Sequence, residues 1–321
     1  MTPSQIEYML VLAEERSFSK AAKRLNVTQP SLSQLIQNLE GQLDVQLFDR
    51  STCPIRLTQA GEIFVDAALK MKLEEKNMMK RLSDLQELKT GSLKIGTTPF
   101  RASCLLSKSI AAFQKRYGGV AVSVVEGNLP ELEAGIINGT LDLVICPTPS
   151  STSGYHIEEL ATEKVYLALT KDNPLNEALK EYRLMAEDIR VNSPKLFTTK
   201  PVPFSAFANE KFILLEHSEY DEQLITSLCD KSNMEPRGTL CTKHIETAFS
   251  FALSGLGAAL IPDTYIRFGN IAAHPFYYEI DDKRTEQKLV LISKRNSYLS
   301  KAAKEYCLIL KQLISIGTWK V

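Results

Sequence analysis

Over the N-terminal quarter of the chain, hydrophobic positions recur at helical spacing; beyond Ser92 they gather into short runs separated by turns. Ile6, Met9, Leu10 and Ala13 mark an amphipathic helix directly after Met1. Ala21, Ala22 and Leu25 form the small apolar face of a second, short helix, with Ser19 as its expected N-cap. Asn26 tolerates the left-handed bend a helix pair needs. Thr28 is placed to cap the next helix, and Pro30 sits in its first turn, where a missing N–H costs nothing. In that helix Leu32, Leu35, Ile36, Leu39 and Leu43 share one face, and Pro30, Ser33, Gln34 and Gln37 share the other. A solvated face ordinarily carries Lys and Glu. Gln and Ser both donate and accept hydrogen bonds, the chemistry that reads base edges, and Gln34 and Gln37 suit adenine. An ordinary polar surface would have the same composition, so the flanking charges decide between the two.

Between positions 16 and 58, Arg16, Lys20, Lys23, Arg24, Arg50 and Arg56 outnumber Glu40, Asp44 and Asp49. Such cations fix a helix against phosphates. Leu47–Arg50 and Ile55–Leu57 are expected as two short strands joined across Ser51-Thr52-Cys53-Pro54, a wing of the kind that reaches the sugar-phosphate backbone or the minor groove. The expected DNA contacts are Ser19, Lys20, Thr28, Gln29, Pro30, Ser31, Ser33, Gln34, Gln37, Arg50 and Arg56. Thr58 then caps a long helix reaching about Leu88. Phe64, Ala68, Met71, Met78, Leu82 and Leu85 fall on its heptad seam, broken only by Glu75. At roughly thirty residues without a breaker, this helix exceeds the usual globular length, which favours a seam between two subunits.

From Ser92 strands alternate with helices. Strands are expected at Leu93–Thr97, Val120–Glu126 and Leu143–Cys146, with helices reaching Tyr117 and over Pro130–Asn138, a parallel α/β pattern. Further on come Tyr166–Thr170, Phe212–Leu215, a helix over Tyr220–Ser232, a helix from Ile245 to Gly255, and a strand at Ala258–Ile261. The chain then returns to the first lobe through strands near Phe276–Ile280 and Lys288–Ser293 and a helix from Ser300 to Ile316.

The run Phe18 to Gln37, then Leu47-Phe48-x-Arg50, then Arg56-Leu57-Thr58-x-Ala60-Gly61, resembles the winged helix-turn-helix of the LysR-type transcriptional regulators. Asn138-Gly139-x-Leu141-Asp142-Leu143 and the run from Ile245-Glu246-Thr247-Ala248 to Pro262 resemble the effector domain of the same family, so the likeness spans the chain. It implies a DNA-binding domain over 1–58, a linker and dimerisation helix over 59–90, and an α/β effector domain over 91–321 with the two-lobed fold of periplasmic solute-binding proteins. Lobe I is expected over 91–163 and 268–321, and lobe II over 164–267. The implied partners are double-stranded DNA, a second copy of the chain in a dimer or dimer of dimers, and RNA polymerase. The implied ligand is a small-molecule effector, with no other cofactor. Three departures stand out. Gln34 occupies a position that often carries Arg or Lys. Thr52-Cys53-Pro54 replaces basic wing residues. The connection over 177–209 is about twenty residues longer than usual; such loops are often functional or mobile, and a solvated insert is favoured slightly over a cleft lining or a subunit contact.

Ligands of open α/β sheets bind at the carboxyl ends of strands. Thr97, Thr98, Phe100 and Arg101 follow the first strand, and Arg101 can grip a carboxylate bidentately, although a surface salt bridge is at least as good a reading. Pro147 and Thr148 end another strand, and His217 and Ser218 follow the matching strand of the second lobe. By resemblance these loops face the effector, and a small carboxylate metabolite is the default expectation.

The 321 residues balance 38 Lys and Arg against 38 Asp and Glu, so DNA affinity has to come from local placement rather than from a global field. The six cysteines form no Cys-x-x-Cys pair, which leaves a metal site unsupported. Some relatives sense peroxide through a cysteine after the second-lobe strand, where this chain has His217-Ser218-Glu219-Tyr220. Gly255-x-Gly257 follows a helix and precedes a strand, the reverse of a dinucleotide loop. No membrane span or secretory leader is legible, and a cytoplasmic location is expected. The leading reading is a ligand-responsive regulator. A DNA-bound scaffold indifferent to ligand is the second, and an enzyme, without positive support, the third.

Overall fold

The computed structural model describes residues 2–85, 88, 90–149, 151–215, 221–232, 234, 237–295 and 297–316. The chain forms two compact units, Met1–Met79 and Lys80–Val321. In the first, α1 (Pro3–Glu15) opens on a reciprocal cap between Thr2 and Gln5 and ends at Arg16, which turns left-handed at φ 50°. The next helix, α2 (Phe18–Arg24), is capped by Ser17 rather than Ser19. Ser17 keeps an extended backbone and its hydroxyl accepts from Lys20 N–H, whereas Ser19 already lies inside the helix. Asn26 makes the expected left-handed bend at φ 57°. Thr28 caps α3 (Gln29–Leu43) through Ser31 N–H, with Pro30 in the first turn. Leu32, Ile36 and Leu39 cluster with Met9, Leu12, Ala21 and Ala22, the alanines being small enough to let three helices close on one another.

Two short antiparallel strands follow, β1 (Phe48–Asp49) and β2 (Arg56–Leu57), pairing Phe48 with Leu57 and Asp49 with Arg56. Thr58 starts α4 (Gln59–Asp84): its hydroxyl accepts from Gly61 N–H and donates to Gln46 O at 2.6 Å. The helix ends at Asp84, four residues before the expected stop. The Asp84 carboxylate accepts from Tyr298 O–H and Lys301 N–H, both at 2.8 Å. Beyond it Leu88 adopts φ 62° and is buried in the second unit's core, which a continuing helix would forbid. Gly91 begins the next strand.

The second unit is built on one sheet. Its parallel side is β3 (Gly91–Thr97), flanked by β4 (Val120–Glu126) and β5 (Leu143–Pro147). Between β3 and β4 run α5 (Pro99–Arg101), a π-helical turn over Ala102–Leu106 and α6 (Ser107–Arg116). The helix α7 (Leu129–Ile137) links β4 to β5. The strand β6 (Tyr155–Leu169) is far longer than Tyr166–Thr170, because its first part is amphipathic and carries charges that mask it in the sequence. After it come α8 (Leu175–Ala178), α9 (Ala186–Arg190), α10 (Pro194–Thr198), β7 (Lys211–Leu215), α11 (Asp221–Lys231) and β8 (Arg237–Thr242). The chain closes with α12 (Ile245–Leu253), β9 (Ala258–Pro262), α13 (Asp263–Phe268), β10 (Phe276–Glu279), β11 (Glu286–Lys294) and α14 (Lys301–Ile316).

Strand β6 joins the two sides. Tyr155–Lys164 pairs with β11, which also pairs with β5; Val165–Ala168 pairs with β9, which is parallel to β7. Phe276–Glu279 pairs with Tyr166–Leu169, on the β9 side. The expected return of this strand to the first lobe is therefore corrected: the return begins at β11.

The long connection over 177–209 is not a solvated insert. Leu179, Val202, Phe204 and Phe207 are buried in one core cluster, and Leu184, Ala186 and Ile189 in another. Leu184 bridges Tyr277 and Val202 bridges Ile280, so the segment is tied to both ends of β10. Arg190 donates to the Ile266 and Gly269 carbonyls at the end of α13. Seven buried apolar side chains give this segment a fixed seat worth far more than the loop-closure entropy its extra length costs.

Gly61 sits where a Cβ would lie 2.1 Å from Leu47 O. The carbonyl cannot retreat, because it accepts Thr58 N–H at 3.0 Å. Gly61→Ala should therefore lower the stability of the first unit by about 3 kcal/mol. A urea melt of the 1–79 fragment beside the wild-type fragment checks this; equal midpoints would refute the close-approach account.

Candidate functional site

The DNA-facing candidates separate into an open face and a committed one. Gln29, Pro30, Ser31, Gln34 and Gln37 are exposed along α3, as are Ser19 and Lys20 on α2 and Thr28 at the cap; Ser33 is half-buried. Thr28 and Ser31 hydroxyls lie 2.7 Å apart, and Gln34 Nε2 donates to Asn38 Oδ1 at 3.0 Å. These surface bonds exchange readily with a base or phosphate, since water already competes for them. Arg56 is exposed on β2. Arg50 is different: its guanidinium donates to Glu40 Oε2 at 2.7 Å and lies 5.3 Å from the centroid of the Phe18 ring.

Glu40 is the residue the sequence reading missed. Its other oxygen, Oε1, accepts from Leu47 N–H at 2.8 Å and Phe48 N–H at 3.2 Å. One carboxylate on α3 thus holds both the first wing strand and the wing arginine. Charge-assisted bonds to backbone N–H groups are stronger than neutral ones and fix direction. The available signal was a lone acid on an otherwise uncharged face, one turn before the helix ends.

The heptad positions of α4 divide. Phe64 packs against the first unit's core and Ala68 is buried. Met71, Met78, Leu82 and Leu85 are exposed, with Leu85 just past the helix end.

In the second unit the expected ligand residues are mostly occupied. Thr97 is fully buried and donates to Ile145 O at 2.8 Å, holding β3 to β5. Thr98 starts α5 and accepts from Arg101 Nη1 at 3.0 Å. Phe100 is buried, with the Arg101 guanidinium 4.3 Å from its ring centroid. Arg101, 2% exposed, donates through Nη2 to Glu163 Oε2 at 2.5 Å. Of the two readings of Arg101, the salt bridge is the one present, and it is buried rather than on the surface. Thr148 follows the end of β5, and both its N–H and its hydroxyl donate to Lys288 O; Pro147 pairs with Leu289. His217 and Ser218 lie outside the described residues.

A cavity of about 470 Å³ opens beside this segment, lined by Pro99, Ser103, Leu106, Ile110, Val124 and Glu246. Ser103 Oγ lies 3.3 Å from Glu246 Oε1, across from α12. Neither residue was among the sequence candidates, because Glu246 becomes relevant only when α12 packs beside the π-helical turn.

The cysteines have no sensing chemistry in common. Cys104, Cys146, Cys229 and Cys307 are buried, and burial pushes the Cys104, Cys146 and Cys307 thiols up to about 12, which suppresses the reactive thiolate. Cys241 is exposed while Cys229 is buried, and both are free thiols.

Removing the Glu40 carboxylate leaves two N–H groups and an arginine without their acceptor. Glu40→Ala should cost the first unit about 2 kcal/mol and weaken DNA binding at every sequence alike. Chemical denaturation and fluorescence anisotropy on specific and random duplexes measure both. A stable variant with altered base preference would contradict this role.

Comparison with known proteins places these features. Residues 3–62 match the family model described as "Bacterial regulatory helix-turn-helix protein, lysR family", and residues 86–314 match "LysR substrate binding domain". The uncharacterized HTH-type transcriptional regulator YcgK of Bacillus subtilis is 29% identical over 306 residues, covering 94% of this chain and 91% of that protein. A full-length OxyR variant from Pseudomonas aeruginosa superposes with a TM-score of 0.64 at 19% identity, covering 98% of this chain and 95% of that one. Full-length CbnR in complex with its target DNA gives a TM-score of 0.59 at 19% identity, covering 97% and 99%. With both its helix-turn-helix unit and its substrate-binding unit matched, the chain belongs to the LysR family of bacterial transcriptional regulators.

Proposed function

We propose that this regulator binds a two-fold pseudo-palindromic DNA site as a dimer or dimer of dimers, and that a small molecule held between the two sides of its second unit sets that binding. The observation that carries the DNA reading is the exposed Gln29–Gln37 face of α3, beside a wing tied to the same helix by Glu40. A helix face of this width enters a major groove, with Gln34 and Gln37 toward base edges and Ser19, Lys20, Thr28, Ser31 and Arg56 toward phosphates. Arg50 contributes chiefly by holding the wing. Met71, Met78 and Leu82 supply an exposed apolar seam for a second α4, which would set the half-site spacing. Chromosomal DNA as target implies a cytoplasmic protein, and RNA polymerase is the partner through which bound regulator would act.

The effector reading rests on the substrate-binding unit and its two sides joined at β6. A ligand that favours one arrangement of those sides shifts the population and so the geometry of paired heads. The carboxylate class rested on Arg101, and Glu163 already occupies that guanidinium. That ion pair favours a second reading, a DNA-bound scaffold without an effector.

Selection of genomic fragments at fixed salt, then footprinting with and without a panel of small metabolites, separates these. A long two-part footprint that shortens or shifts with one compound is expected. Binding indifferent to every compound would favour the scaffold. Gln34→Ala should erase about 1–3 kcal/mol of discrimination at a single base pair. Arg56→Ala should weaken all sequences equally and reduce the salt slope by about one. Absence of salt-sensitive specific binding would sink the DNA reading.

A further inference from the structure

Glu163 sits on β6 one residue before the strand changes partners from β11 to β9. Its carboxylate is fully buried. It accepts from Arg101 on α5, from the Thr264 hydroxyl on α13 and from Gln287 Nε2 on β11. One acidic side chain therefore gathers three donors from three elements at the crossing between the two sides of the unit. Two polar atoms of this cluster are buried without a hydrogen-bond partner among the described residues: the Arg101 Nε donor and the Gln287 Oε1 acceptor. Arg101 Nη2 and Gln287 Nε2 both reach the same oxygen, Glu163 Oε2, so the two unpaired atoms belong to neighbouring groups. Buried polar atoms without partners carry a cost that a complementary group relieves.

The geometry points to Glu163 as the residue that sets ligand specificity here: a resident carboxylate that fills the anion seat at Arg101 and leaves the cluster selective for an uncharged group pairing one acceptor with one donor, such as a carboxamide. This rests on the reading that the effector binds between the two sides of the unit. The charges decide the sign. Arg101 and Glu163 cancel, so a ligand carboxylate would find no net positive charge and would stand beside a second, buried carboxylate. A carboxamide oxygen can accept from Arg101 Nε while its N–H donates to Gln287 Oε1, with no charge to desolvate. Replacing Glu163 by Gln keeps the shape, removes the resident anion and leaves a buried guanidinium that needs one.

The test uses full-length wild-type protein, Glu163→Gln and the neutral pair Arg101→Gln/Glu163→Gln. The probes are isosteric pairs, benzamide with benzoate and acetamide with acetate, at constant pH and ionic strength. Titration calorimetry reads affinity, thermal melting reads stabilisation, and footprinting of a selected DNA site follows the response. Glu163→Gln should gain carboxylate binding at least tenfold over wild type. The neutral double variant should lose that gain while melting cooperatively, which keeps the test valid if the single variant folds poorly. Wild type binding carboxylates as tightly as folded Glu163→Gln would overturn the inference. So would a Glu163→Gln protein with native circular dichroism that binds none of the carboxylates, or a double variant that retains the gain. If the carboxylate gain appears but no footprint moves, the role of Glu163 stands and the effector reading fails. If a carboxylate moves the wild-type footprint and the double variant responds equally, the effector reading stands and the role of Glu163 fails.

Discussion

A buried carboxylate has to be answered by donors, and the donors that answer Glu163 come from parts of the chain far apart in sequence. Arg101, Thr264 and Gln287 reach it from α5, α13 and β11. Removing a charge from water is costly, and breaking one partner of such a pair leaves the other stranded. The cluster therefore constrains where these elements sit relative to β6. Nearby, Asp263 on α13 accepts from Lys164 N–H at 3.2 Å and pairs with Arg267 at 3.0 Å. Consecutive residues of β6 are thus tied to consecutive residues of α13, and the crossing at β6 is held by polar contacts within a largely apolar core.

The DNA-binding unit uses the same device on a smaller scale. Its core is mostly aliphatic, with Phe48 at the wing end, and a two-residue ladder is too short to orient a wing. Glu40 supplies the direction by accepting two backbone N–H groups and one guanidinium. Thr58 continues the tie, capping α4 while donating to Gln46 O. The close approach at Gly61 then brings α4 against the Leu47 carbonyl, just before β1. Recognition helix, wing and linker helix are joined by polar contacts with fixed geometry, and apolar packing fills the space between them.

The extended connection over 177–209 shows how loop length misleads. Its prolines, Asn192 and Ser193 resemble a solvated loop, and the apolar residues among them have no regular period. Period is a signal only where an element is long enough to repeat, and α9 and α10 are five residues each. Burial of Leu184, Ile189, Phe204 and Phe207 is decided by β10 and α13, which arrive some eighty residues later.

By itself the sequence determined the class of the protein, the helix-turn-helix with Thr28, Pro30 and Asn26 in their positions, and most strands of the second unit. Those features follow from local rules: side-chain period, cap chemistry and backbone preference act within a few residues. Only the tertiary structure decided that α4 stops at Asp84 and that β10 joins the β9 side. It also decided that Arg50, which sequence alone assigned to phosphate, and Arg101, which sequence left between effector and salt bridge, answer Glu40 and Glu163. A charged side chain in a sequence declares what it can bind. Which partner it takes depends on the nearest opposite charge in space, and folding brings Glu163 to Arg101 across 62 residues of chain.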